Sequence, residues 1–243
     1  MLYLNSLFIV QNAVTIGSLQ HLIPIGFAIV FTIFLINYAK KHFTETQKKG
    51  VIHYFALFIS VTVISFHLYR MVFDNYNFKT DLPLYLCSLM ALLIPIFTYY
   101  KKYWMFEILV FWIIGGTLQA VITPDITEGF PSFDYFRYWV VHLGLLILVF
   151  YFIFVFKMKP KLKSVFKSFL ALQVYLVVMM MLNYLLNANY FYLNAKPKSA
   201  SVLDYFGDWP YYLLVTQAII IPLFLIIYLP FYISERRKQS QNK

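Results

Sequence analysis

The stretch YWVVHLGLLILVFYFIFVFKMKPKLK, residues 138–163, sets the class of this chain. Its first 19 positions, Tyr138–Phe156, are apolar or aromatic apart from one glycine and one imidazole, His142, and four lysines follow within seven residues. A helix needs about 20 such residues to cross the hydrocarbon core of a bilayer, and lysines gather at the cytoplasmic end of a span. Six further stretches read the same way: Leu22–Tyr38, His53–Val72, Leu82–Tyr99, Trp104–Ile122, Phe166–Leu186 and Tyr211–Tyr232. Composition agrees, with 61% hydrophobic residues, 12% charged and a mean hydropathy of +0.70. A soluble domain of this make-up would lack the polar residues to face water. The expectation is an all-α membrane protein: a seven-transmembrane-helix bundle, residues 1–243 forming one integral domain, multi-pass in the cell membrane.

Charge placement predicts the orientation. Fifteen of the 20 Lys and Arg fall in the first, third and fifth connections and the C-terminal tail, and five (Arg70, Lys79, Arg137, Lys196, Lys198) in the others. This alternation puts the N-terminus outside and the C-terminus in the cytoplasm. The net charge of +10 is thus a topology signal that also suits anionic headgroups, and no nucleic-acid partner is expected. The first 20 residues hold no Lys or Arg, so the first span is expected to be an uncleaved insertion signal. One cysteine, Cys87, excludes an intramolecular disulfide and a CxxC pair.

Polar groups inside spans are unfavourable and face a cavity or a partner helix. Here they concentrate in the outer half: Ser60, His67, Arg70 and Asp74 at helical spacing in the second span, Cys87 and Ser88 in the third, Gly115, Gln119 and Thr123 in the fourth, His142 in the fifth, Asn183 and Asn187 in the sixth. Seven of the ten carboxylates lie on that side too, and the inner half is apolar apart from Glu107, Gln173 and a few hydroxyls. A polar pocket opening outward is expected, with the long connections Thr123–Arg137 and Asn187–Pro210 as its walls. At about 1.5 Å rise per residue, Cys87 lies roughly 8 Å below Leu82 and His142 roughly 6 Å below Tyr138, with His67 similarly deep.

A free cysteine is commonly a small buried hydrophobe, and a lone histidine commonly a structural hydrogen-bonder. A thiol and an imidazole at matching depth also make a nucleophile and its base. Arg70 would pair with Asp74 one turn on, or hold a lipid phosphate through its bidentate donors. Gly115 and Gly116 suit close helix packing.

The segments LPLYLCSLMALL (82–93), GGTLQAVITPDI (115–126), GFPSFDYFRYWVVHLG (129–144) and NYFYLNAKPKSASVLDYFGDWPYY (189–212) resemble the bacterial YwaF-like integral membrane family, which is related to the eukaryotic transmembrane protein 164 acyltransferases. The resemblance runs from about Leu82 to Tyr232. It implies a seven-helix fold, a Cys–His pair at Cys87 and His142, and, as in the eukaryotic branch, transfer of a fatty acyl chain onto a lysophospholipid through an acyl-thioester. Related folds with Thr in place of Cys resemble lipid-ester hydrolases, so hydrolysis is open as well.

The resulting expectation is a lipid acyltransferase or acyl hydrolase in which Cys87 attacks and His142 serves as base and then acid. Substrate contacts are expected from His67, Arg70, Gln119 and Asn183, and Gln119, Asn183 or backbone amides would stabilise the oxyanion. Its partners would be membrane phospholipid or lysophospholipid, with no metal and no cofactor. One alternative is a zinc-dependent hydrolase using His21, His67 and His142 with an Asp, although no two histidines share an outer helix at i, i+3 or i+4. Another is a non-enzymatic protein that binds a ligand in the polar pocket.

Overall fold

The computed structural model describes residues 13–197 and 201–241. Lys198, Lys243 and most of the Lys- and Arg-free leader fall outside the described residues. Seven helical rods follow one another: α1 (Leu19–His42), α2 (Glu45–Phe73), α3 (Leu86–Tyr100), α4 (Tyr103–Ile122), α5 (Phe133–Phe154), α6 (Leu162–Leu186) and α7 (Tyr211–Gln241). No strand occurs among the described residues.

Six of these helices are long and apolar enough to cross a membrane; α3, with 15 residues, is shorter. The expected third span, Leu82–Tyr99, begins as a turn because Pro83 has no N–H and disfavours a helical Leu82, and Leu84 N–H bonds instead to Leu82 O. Three other starts follow capping rules. Ser18 caps α1, Thr44 and Gln47 form a capping box at α2, and Ser132 caps α5. The Ser132 cap starts α5 five residues before the apolar run and brings Asp134 and Arg137 into its first turns.

Two ends can be told apart. The short connections 43–44, 101–102 and 155–161 gather at a lysine-rich end, where Tyr151 donates to Lys48 O and Tyr103 to Lys159 O. The turns 74–85, 123–132 and 187–210 gather at the opposite, long-loop end, where Val14 N–H bonds Ile126 O and the Tyr190 hydroxyl donates to Phe78 O.

The most buried helix is α5, packed against α1, α2, α3 and the outer part of α4, while α6 packs on α4 and α7 on α6. Lipid is as apolar as leucine, so helices in a membrane are held by close packing and hydrogen bonds more than by burial of leucine side chains. Both devices are present. A Cβ added at Gly144 of α5 would stand 2.8 Å from Ile59 Cδ1 of α2, so glycine permits that approach. Between α4 and α6, the buried Glu107 carboxylate accepts from Ser164 Oγ and Lys167 Nζ, each at 2.7 Å, while Trp112 Nε1 donates to Ser168 O.

Midway along α4 the helix widens into a π turn, Ile113–Thr117, containing Gly115 and Gly116. A single π turn inserted in an α-helix often marks a functional position. Here it touches α3, α5 and α7.

Candidate functional site

The site is built where α3, the π turn of α4 and α5 meet. Cys87 is the second residue of α3, following Tyr85 at the cap position and Leu86. Tyr85 offers no side-chain cap, and among the described residues nothing accepts from the N–H groups of Cys87 and Ser88. A first turn leaves such donors free and carries the positive end of the helix dipole.

The irregular backbone just before α3 is held by tyrosines. Leu82 N–H donates to the Tyr190 hydroxyl at 2.9 Å, that hydroxyl donates to Phe78 O, and the Tyr175 hydroxyl donates to Leu84 O at 2.6 Å. Tyr190 is itself clamped: Asn183 Nδ2 donates to its carbonyl at 2.9 Å and its N–H donates to Asn183 Oδ1 at 2.7 Å. The buried Asn183 amide therefore supports a wall of the site, with oxygen and nitrogen both engaged.

The hydrogen-bond partner of the thiol is Thr117, the last residue of the π turn, with Sγ 3.7 Å from Oγ1. On α5, His142 Nδ1 lies 2.7 Å from Tyr138 O. A carbonyl only accepts, so Nδ1 carries the hydrogen and Nε2 keeps its lone pair in the neutral ring. Tyr138, one turn earlier on the same face, donates its hydroxyl to Ala120 O at 2.8 Å and accepts from Asp125 N–H. Cys87 thus adjoins the π turn through Thr117, and the His142 face adjoins the turn that follows it through Tyr138.

A cation completes the surroundings. Arg137 is paired with Asp134 and lies 4.6 Å over the Phe66 ring, one helical turn before Val141 and His142 on α5. Charge counting puts Arg137 among the loop cations; the Ser132 cap makes it part of α5.

The other expected residues lie around this core. His67 Nδ1 is 3.3 Å from the Tyr76 hydroxyl, which donates to Asp81 O. Arg70 bridges Asp74 and Asp81, each at 3.2 Å, and so organises the 74–81 turn. Gln119 sits on the exposed side of α4, its amide donating to Thr123 Oγ1. A polar cavity of about 440 Å³ at the long-loop end lies between the end of α6 and the start of α7, lined by Asn183, Asn187, Asn194 and Trp209 among others, and neither Cys87 nor His142 lines it. Its lining joins Asn183, Asn187, Ala188, Leu193 and Asn194 to Leu213 of α7.

The zinc alternative finds no ligand set: among the described residues no three His, Cys, Asp or Glu side chains converge. His21 accepts from Gly17 N–H at Nδ1, within the start of α1, and meets Val121 O at Nε2, so both nitrogens are engaged and one ties α1 to the end of α4. Thr117, Tyr175 and Tyr190 escape sequence reasoning because their partners lie 30, 91 and 108 residues away. For Tyr190 the sequence signal is the aromatic richness of the 189–212 connection.

Among known proteins, the family model described as the TMEM164 family matches residues 16–228. No curated protein and no solved structure matches the chain.

Thr117→Val keeps the shape of the side chain but removes the hydroxyl from Cys87. Because a hydrogen bond of this kind is worth about 0.5–1.5 kcal/mol, alkylation of Cys87 should slow by about 2- to 13-fold. An unaltered rate would mean that the Thr117 contact does not activate the thiol.

Proposed function

Because the chain belongs to the TMEM164 family, and because its one thiol opens a helix beside a histidine-bearing face, we propose that it is a membrane-embedded acyltransferase or acyl hydrolase acting on lipid esters. The observation that carries this reading is the position of Cys87: second residue of α3, with free N–H groups beside it and Thr117 against its sulfur.

In the proposed reaction Cys87 Sγ attacks the ester carbonyl of a phospholipid and its proton passes to His142 Nε2. The hydrogen bond from Nδ1 to Tyr138 O holds the ring in the tautomer that accepts it. An apolar wall gives a free thiolate no water, so removing the proton as the S–C bond forms avoids that species. The negative oxygen of the tetrahedral intermediate is met by the N–H groups of Cys87 and Ser88, whose dipoles are already oriented, with Arg137 as the nearby positive charge. Collapse breaks the C–O bond, the leaving alkoxide takes the proton from His142, and a lysolipid departs from an S-acyl Cys87. A lysophospholipid hydroxyl then attacks the thioester carbonyl as His142 accepts its proton and returns it to sulfur. Water in place of the hydroxyl gives a free fatty acid.

His67 and Arg70 would meet the headgroup at the 74–81 turn, Gln119 would contact lipid at the exposed end of α4, and Asn183 would act through Tyr190. We place the long-loop end outside the cell membrane, with α3 and its leading turn Leu82–Tyr85 as the seventh crossing. This puts the N-terminus outside and the C-terminal tail with Arg236, Arg237 and Lys238 in the cytoplasm. A reporter fused after the C-terminus should read cytoplasmic and a tag inserted at Thr127–Ser132 external; both on one side would refute this arrangement.

The reaction is tested by mass spectrometry of enzyme quenched during turnover of a labelled phospholipid. The acyl chain is expected on Cys87, moving to added lysophospholipid or slowly to water. Cys87→Ala should abolish turnover and His142→Ala should lower it by about 10²–10⁴-fold, the usual worth of a general base, while chelation leaves it unchanged. Full turnover by Cys87→Ala would refute the assigned nucleophile.

A further inference from the structure

A lipid-facing groove of about 370 Å³ runs along α5, away from the polar cavity. One wall is α1 from Ile25 to Ile36, the floor is α5 from Leu143 to Phe154, and α4 contributes only Leu118 and Val121. The lining is apolar: its one polar side chain, Thr32, donates its hydroxyl back to Ala28 O. Nothing in the groove would hydrogen-bond a headgroup or a peptide.

Its length selects the occupant. Ile25 to Ile36 spans about 16 Å at 1.5 Å per residue, and the chains of one leaflet span about 15 Å, half of the hydrocarbon core. One acyl chain lying along the helices fills such a groove from end to end.

The groove also leads to the site. Val121 lies one helical turn beyond Thr117, the partner of Cys87, and Leu146 one turn beyond His142, so the thiol's partner and the imidazole each adjoin a lining residue. The head of the groove is closed by His21 stacked on Trp139, ring centres 5.8 Å apart. Beside this pair the Tyr135 hydroxyl donates to Gln20 O at 2.8 Å, which leaves its oxygen free to accept from the neighbouring Trp139 indole.

We propose that the groove between α1 and α5 is the acyl-chain subsite, holding one fatty chain of a membrane glycerolipid with its ester end toward Cys87 and His142. This rests on the acyl-transfer reading above, and the two can fail separately.

The test is photocrosslinking of the full chain in phosphatidylcholine vesicles containing a phospholipid with a diazirine in its acyl chain, with adducts mapped by mass spectrometry. Adducts are expected on Ala28–Ile36 and Leu146–Phe154, and excess unlabelled phospholipid should suppress them. Ala28→Phe, which fills the groove, should reduce them about tenfold, as when a few methylenes are displaced. Leu146→Trp is the second variant should Ala28→Phe fail to fold. Labelling at Val174, on the lipid-exposed surface of α6, should not change. The same groove adducts should form in Cys87→Ala, because holding the chain does not require the thiol. Groove labelling that is no more competable than labelling at Val174, or that survives both fillings, is ordinary surrounding lipid and overturns the proposal. Acylated Cys87 with adducts confined to other helices would likewise overturn the groove while leaving the reaction standing. Competable groove adducts in a protein whose Cys87 never acylates would uphold the groove and refute the reaction.

Discussion

Backbone shielded from water must find hydrogen-bond partners, and this constraint shapes the turn before α3. Each unsatisfied N–H or C=O in hydrocarbon costs several kcal/mol, yet Pro83 prevents Leu82–Tyr85 from pairing as a helix. The hydroxyls of Tyr190 and Tyr175 supply the missing partners at Leu82 and Leu84. Asn183 fixes Tyr190, so α6 and the loop after it determine where α3 begins. That starting point sets the position of Cys87. Losing these bonds would move the thiol without any change in its immediate neighbours.

The second requirement is a rigid partner for that helix start, which α5 supplies. Gly144 brings α2 close, Tyr138 grips the end of α4, and Arg137 lies over Phe66 of α2 at the long-loop end. The π turn gives α4 the freedom to present Thr117 to Cys87 and Gly115 to α7, where an added Cβ would just touch Ile227 and Phe224 at 3.5 Å. At the far end the Glu107–Lys167–Ser164 cluster fastens α6 to α4. The polar contacts at the two ends therefore restrain the middle, where the candidate chemistry lies.

Much of this is legible in the chain. Apolar run length foretells the long helices, and i, i+4 spacing foretells the Arg70–Asp74 pair. It does not foretell that Asp81 shares Arg70, because turns bring together residues with no fixed period. Hydropathy overstates the length of α3 because it counts Leu82–Tyr85 as apolar, whereas Pro83 decides the conformation there. The outer polar residues do cluster, but asparagines serve the backbone as readily as a ligand. Asn183 does the former, and the polar cavity lies against α7 instead of Cys87. Thr117 gives no signal, since one hydroxyl among apolar residues is ordinary until its neighbour in space is known.

The proposed chemistry requires α3 and α5 to bring Cys87 and His142 together across the π turn. The chain has one cysteine, so His142→Cys creates a unique pair that a short bifunctional thiol reagent can report, fluorescing only when both thiols are bridged. The account predicts rapid bridging in His142→Cys and none in the parent chain or in Val174→Cys, whose second thiol stands on the lipid face of α6. If the two thiols of His142→Cys each label singly but never bridge, positions 87 and 142 do not meet and the proposed chemistry has no site.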